Sequence, residues 1–323
     1  MWDNRVSGRQ NAFARLPLPQ KYTMKFYDSE KNFLGITEED LQAYETSKVV
    51  LQLLPYEHTS SYLSGSDKGP KAILNASHFV EFYDEELDQE TYSKLGIATQ
   101  KELKFGDRVD ADAVEFIRQN TRKHLDNGKF VMSFGAEHTV TYGLFKAFHE
   151  LNPNVSILQI DAHSDLRIAY QGNPYSHASV MARIHELNVQ IAQVGIRAQC
   201  IEESQLIKAN PNIQTHYAHQ LKDSGEYINR ILEHLTDEVY ITIDADGLDP
   251  SIVPAVGTAE PGGMLWYQTL DLLHAVCTRK KIVGFDIVEC APIKGQIRSE
   301  YLLAQLAYKV LGYCSLNPVN FAG

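Results

Sequence analysis

The sequence predicts an α/β fold of three layers (αβα), with helices on both faces of a mainly parallel central sheet. Three observations support this. From about Lys48 onward, short β-branched runs alternate with amphipathic helical stretches. Most of these runs are apolar on both faces, as strands buried inside a parallel sheet are. No Pro-, Gly- or Ser-rich linker and no internal repeat interrupts them, so residues 48–323 read as one domain. Residues 1–47 read as an N-terminal extension to which no role is assigned.

In chain order, the strand candidates are residues 49–54, 130–134, 155–160, 190–196, 239–243 and 282–288. Residues 111–127 form a helix in which Val114, Ile117 and Leu125 share a stripe and Gly128 is placed to end it. Residues 226–235 form another, with Tyr227, Ile228, Ile231, Leu232 and Leu235 on one face. A last helix is expected from a Ser299 cap through Leu302, Leu303, Leu306 and Val310 to Gly312.

Composition narrows the function classes. The 323 residues are 44% hydrophobic, enough for a substantial core. The net charge is −11 and the basic residues are scattered, so neither nucleic acid nor an anionic membrane surface is expected as a partner, while a small cationic substrate is compatible. Cys200, Cys277, Cys290 and Cys314 form no C-x-x-C pair and lie in apolar stretches, as reduced core thiols do, and the expected location is the cytoplasm. No run of 18 apolar residues suggests a membrane span. Residues 1–21 carry Arg5, Arg9, Arg15 and Lys21 against the single acid Asp3, a weak transit-peptide composition that is given no function.

In open parallel sheets, ligands bind at the carboxyl ends of the strands. Here those ends are unusually polar. Residues 130–134 lead into Gly135-Ala136-Glu137-His138, residues 155–160 into Asp161-Ala162-His163-Ser164-Asp165, residues 239–243 into Asp244-Ala245-Asp246, and residues 282–288 into Glu289. In extended chain, alternate residues point the same way, so Asp161, His163 and Asp165 can converge, as can Asp244 and Asp246. Uncompensated carboxylates this close repel, and bound cations resolve the conflict. Four aspartates and two histidines exceed one tetrahedral site but suit two bridged octahedral ions, and the oxygen-rich set favours Mn²⁺ over zinc. Such a pair of ions can acidify a shared water toward neutrality. Asp249, before Pro250, reads instead as a turn residue. Asp286, inside a strand, reads as a buried hydrogen-bonded acid.

These blocks resemble the signatures of the ureohydrolases, the arginase and agmatinase family, whose fold is also that of metal-dependent deacetylases. The resemblance extends to Ser176-His177-Ala178-Ser179-Val180, to Asp244 through Pro250, to Val256 through Gly263, and to two N-terminal segments, Pro55 through Tyr62 and Lys68 through Ile73. It covers about Lys48 to Tyr313. It implies two Mn²⁺ ions per subunit, with Ni²⁺ the alternative: His138, Asp161, Asp165 and Asp244 on one, and Asp161, His163, Asp244 and Asp246 on the other. It implies that Asp165 orients the nucleophile, that Glu289 grips a substrate guanidinium and that His177 carries protons. It also implies a homo-oligomer, trimeric or hexameric.

Two positions depart from the family pattern. Ala136 stands where a second glycine is usual, and Ala259 where proline is frequent. The loop from Leu166 to Ser176 resembles the agmatinase version, which points to agmatine, hydrolysed to putrescine and urea, and so to polyamine biosynthesis. In that loop Asn173 and Arg167 are the candidate substrate contacts. Arg167 either pairs with a neighbouring acid, the expected outcome, or lines the pocket and receives a carboxylate such as that of guanidinobutyrate. The competing readings are another ureohydrolase, namely guanidinobutyrase, arginase or guanidine hydrolase, and a non-catalytic paralogue that keeps the metals and acts by binding.

Overall fold

The computed structural model describes residues 24–221 and 224–321. Among the described residues there are ten strands: β1 (Val49–Leu54), β2 (Tyr83–Asp84), β3 (Gln89–Glu90), β4 (Ile97–Thr99), β5 (Phe130–Gly135), β6 (Ser156–Ile160), β7 (Ile191–Ile196), β8 (Ile213–Tyr217), β9 (Glu238–Asp244) and β10 (Lys281–Val288). Eight form one sheet in the order β4-β1-β5-β10-β9-β6-β7-β8, and every neighbouring pair is parallel. The remaining two make a small antiparallel hairpin.

All six expected strands are present, each within a residue of its expected ends. The short edge strands β4 and β8 and the hairpin were not anticipated. β8 reads Ile-Gln-Thr-His-Tyr, and an edge strand with only one neighbour needs no two-sided apolar run.

Alternation within the strands divides the core into two layers. On one face Leu51, Leu53, Met132, Phe134, Leu158 and Ile160 pack with the C-terminal helices Trp266–Arg279 and Arg298–Leu316. On the other, Val50, Leu54, Val131, Ile157 and Tyr240 meet residues of helices Asp110–Asp126, Val140–His149 and Val180–His185. Of residues 24–47, Phe33, Leu34 and Ile36 are buried in the first layer, while Phe26 and Tyr44 pack against the second. Residues 1–21, whose basic composition was noted above, lie outside the described residues.

The last helix differs from expectation at both ends. It begins at Arg298 with Ile297 as its cap, and Ser299 Oγ instead accepts the Ala255 amide at 3.0 Å. It continues past Gly312 to Leu316 because the buried stripe continues through Tyr313 and Cys314. Gly312 fits there because a side chain would run into Leu87.

Register matters most for function. Leu54 pairs with Gly135, Ile287 with Phe134, Val288 with Asp244, and Ile160 with Ile243. Five strands, β1, β5, β10, β9 and β6, therefore end level, so the residues that follow them emerge along one edge. Gly284 keeps β10 in place: a Cβ there would lie 2.8 Å from the Val131 carbonyl oxygen and 2.5 Å from Phe148 Cζ. Gly284→Ala is expected to cost about 1–3 kcal/mol through overpacking. A lowered denaturant midpoint with an unchanged slope would show it; an unchanged midpoint would contradict this packing.

Candidate active site

The strand-end residues converge, though not by extension alone. The β6 ladder stops at Ile160, resumes for a single parallel bridge between His163 and Ala198, and breaks at Asp165, whose φ is 52°. Asp161 Oδ1 accepts the His163 amide at 2.6 Å, which tightens this turn. Asp246 lies in a single 3₁₀ turn whose start is capped by Asp244 Oδ1, 2.9 Å from the Asp246 amide. The two loops touch at Gly247, where any Cβ would come within 2.7 Å of the Asp161 nitrogen.

All six predicted ligands are brought together. His138 Nδ1 stands 3.0 Å from Asp161 Oδ2, 3.1 Å from Asp165 Oδ2 and 3.3 Å from Asp244 Oδ2. His163 Nδ1 stands 3.7 Å from Asp161 Oδ1 and 3.1 Å from Asp246 Oδ2. Asp161 thus turns one oxygen toward each half of the cluster. Although fully buried among carboxylates, His138 Nδ1 has no hydrogen-bond partner. An orphaned nitrogen with acidic oxygens around it, in a set of four carboxylates and two imidazoles, fits a pair of divalent cations.

Outer residues orient the ligands. His138 Nε2 lies 2.9 Å from Thr242 Oγ1, and Thr242 donates to Asp286 Oδ1 at 2.7 Å. The Thr242 proton is thereby committed, so Nε2 carries a hydrogen, and Nδ1 is the nitrogen that turns a lone pair inward once the ring is neutral. Asp286 Oδ2 also accepts from Tyr240 (2.6 Å) and Thr141 (3.0 Å), which makes it the buried hydrogen-bonded acid expected. Gln159 donates to Asp161 Oδ2, and the Ala162 amide to Asp246 Oδ1. Asp249 is a turn residue, as expected, accepting the amides of Ser251, Gly262 and Gly263.

The electrostatics are those of crowded acids. Burial, then the Asp161 charge, pushes Asp165 up to about 7. Burial, then Asp246 and Asp161, raises Asp244 well above the carboxylate range. For His163, burial disfavours the charge, but Asp161 and Asp246 outweigh it and push the pKa up to about 12. His138 is raised in the same way, by Asp161, Asp165 and Asp244 against its burial.

His163, Asp165, Asp244 and Asp246 line a cavity of about 350 Å³ together with Arg167, Tyr170, His177 and Glu289, while His138 and Asp161 are fully buried beside it. Glu289 has φ 62°, donates its amide to the Ala136 carbonyl at 2.7 Å and accepts the His138 amide on Oε1 at 2.6 Å. Ala136, buried where the family pattern has glycine, thus positions Glu289 through its backbone. Burial, then the charge of Glu137, raises the Glu289 pKa well above the usual range. Burial, then His163 and His138, lowers His177 to about 4, so that its imidazole is neutral near pH 7.

The substrate-loop candidates separate. Arg167 lines the cavity with its guanidinium over the Tyr170 ring at 5.7 Å. Among the described residues it has no close ion-pair contact, but the neighbouring Glu202 carboxylate, lowered first by its hydrogen bond with Cys200, is lowered further by the Arg167 charge, so the expected pairing is present only at longer range. Asn173 stands outside the cavity lining: it donates to Asp110 Oδ1 at 2.6 Å and accepts the Tyr175 amide, which shapes the loop. Sequence reasoning gave no role to Thr242, Glu137 or Thr59. Thr242 had a signal, since it alternates with Asp244 along β9; the signal for Thr59 was its place in the segment of family resemblance from Pro55 to Tyr62.

An eight-stranded parallel sheet with this cluster at its carboxyl edge has the architecture and site of a ureohydrolase. The chain belongs to the arginase family, whose model matches residues 47–312. It is 38% identical over 295 residues to an N(1)-aminopropylagmatine ureohydrolase of Synechocystis sp., covering 90% of this chain and 95% of that one. It is 34% identical over 257 residues to an agmatinase of Bacillus anthracis, covering 78% and 86%. The agmatine ureohydrolase of Thermoplasma volcanium superposes with a TM-score of 0.78 at 28% identity, covering 88% and 94%. The chain is accordingly an agmatinase-type ureohydrolase. Among the described residues no helix is long and apolar enough to cross a membrane, and all four cysteines are free.

Cation binding needs neutral imidazoles and ionised carboxylates. Because His138, His163, Asp165 and Asp244 all hold protons too tightly in the ion-free chain, loading must release protons and weaken as pH falls. Calorimetric titration in buffers of different ionisation heat should show net proton release at pH 7, with affinity falling from about pH 8 to about pH 6. A pH-independent affinity would contradict this ligand set.

Proposed function

We propose that this chain hydrolyses the guanidinium group of agmatine, giving putrescine and urea, with manganese as its metal. The observation carrying the reading is that His163, Asp165, Asp244 and Asp246 line one acidic cavity with Glu289 and His177, while His138 and Asp161 lie buried against them. Names of relatives support the substrate, since one is an agmatinase and one acts on N(1)-aminopropylagmatine. The latter is the second reading, favoured by the higher identity and longer coverage of that relative.

A guanidinium carbon is a weak electrophile because its charge is spread over three nitrogens. Two divalent ions held by His138, Asp161, His163, Asp165, Asp244 and Asp246 would supply an acidified water and Lewis acidity at that carbon. Asp165 lines the cavity and can accept a hydrogen bond from the attacking water. Glu289 supplies the counter-charge for the guanidinium: a planar cation satisfies a carboxylate that its burial otherwise keeps protonated. His177, neutral in its site, can take one proton and pass it to the leaving nitrogen as the carbon–nitrogen bond breaks. Arg167, the cation in the lining, disfavours a second positive charge beside it and favours an extended chain that passes it at a distance.

The test is urea release by Mn²⁺-loaded and Ni²⁺-loaded protein from agmatine, N(1)-aminopropylagmatine, arginine, guanidinobutyrate and guanidine. Agmatine or its aminopropyl derivative should lead in kcat/KM, with arginine and guanidinobutyrate at least about tenfold lower, a difference of about 1.4 kcal/mol. If guanidinobutyrate leads, Arg167 is a carboxylate receiver and the polyamine reading fails.

A further inference from the structure

Thr59, in the segment between β1 and the first long helix, joins two parts of the site that lie far apart in sequence. Its Oγ1 donates to Glu137 Oε2 at 3.1 Å, accepts the backbone amide of His177 at 3.1 Å, and lies 3.0 Å from His177 Nδ1. Glu137 is fully buried, next to His138, and its Oε2 also accepts the amides of His58 (2.9 Å) and Thr59 (2.7 Å).

A hydroxyl has one proton to give and two lone pairs to offer. The Thr59 proton goes to Glu137, because Oε2 already accepts two amides and has no room for a proton of its own; the free position on Glu137 is the unpartnered Oε1. One Thr59 lone pair receives the His177 amide. The remaining lone pair can only receive, so His177 Nδ1 must be the donor. Nε2 is then the nitrogen left with a lone pair, on a side chain that lines the cavity. The Tyr170 ring meets the imidazole edge-on at 5.5 Å and limits its rotation.

We propose that Thr59, committed by Glu137, is a positioning residue that holds His177 as the Nδ1–H tautomer with Nε2 free to exchange protons at the reaction centre. This rests on the reading of His177 as the proton carrier. It also gives Glu137 a function beyond anchoring the 58–59 backbone: it removes the alternative in which Thr59 donates to His177 and inverts the tautomer.

The experiment uses the metal-loaded enzyme with agmatine. Thr59→Val, which keeps the side-chain shape and removes the hydroxyl, should lower kcat about 100-fold or more, the scale of a misplaced general acid–base group. KM should stay within about twofold, and Thr59→Ser should restore most of the rate. In a His177→Asn background, Thr59→Val should cost less than about twofold, because the two act as one unit. Nitrogen-15 spectra of histidine-labelled, Mg²⁺-loaded protein should show His177 protonated on Nδ1, and should lose that signature in Thr59→Val but not in Thr59→Ser. If His177→Asn lowers kcat but Thr59→Val does not, or if His177 is protonated on Nε2, the positioning inference alone is overturned. If His177→Asn leaves kcat unchanged, the proton-carrier reading is overturned and this inference with it.

Discussion

Charge compensation at the carboxyl edge of the sheet is the constraint on which the rest of the molecule depends. Two like charges 4 Å apart at an effective dielectric of about 20 repel by about 4 kcal/mol. Asp161, Asp165, Asp244 and Asp246, all buried, therefore set a repulsion comparable to the whole stability of an ordinary domain, about 5–15 kcal/mol. The ion-free chain meets it by keeping protons on His138, His163 and some of the acids. Divalent cations would meet it better, since they would compensate all four carboxylates at once and free the imidazole lone pairs.

The sheet makes this crowding tolerable by making it rigid. Level strand ends deliver His138, Asp161, Asp244 and Glu289 to one edge, and hydrogen bonds then remove the freedom that repulsion would exploit. Arg197 reinforces the turn after β9 from outside, donating to the carbonyls of Asp246, Leu248 and Glu260. Asp286 reaches His138 only through Thr242, so a residue that binds no ion governs which nitrogen of a ligand faces inward.

How much of this could be read in the sequence depended on the kind of signal. Central strands announce themselves because burial on both faces leaves continuous apolar runs; β4 and β8, at the edges, carry no such mark. The convergence of the candidate ligands was legible because they sit directly after those runs, although Asp165 arrives through a left-handed residue and Asp246 through a 3₁₀ turn rather than along extended chain. Arg167 and Asn173 were nominated by their place in the loop from Leu166 to Ser176, and only the fold separates them, one in the cavity wall and one tied to Asp110. Thr59 and Glu137 lie 78 residues apart and meet only in three dimensions, and no local pattern encodes that meeting.

The central claim is that this one cluster would hold two cations, with Asp161 facing both halves of it. The most direct measurement is electron paramagnetic resonance of the Mn²⁺-loaded protein at known metal content. This account predicts two ions per chain and the broadened spectrum of a spin-coupled pair, collapsing to an isolated-ion signal in Asp161→Ala. A single uncoupled ion per chain in the unaltered protein would contradict it.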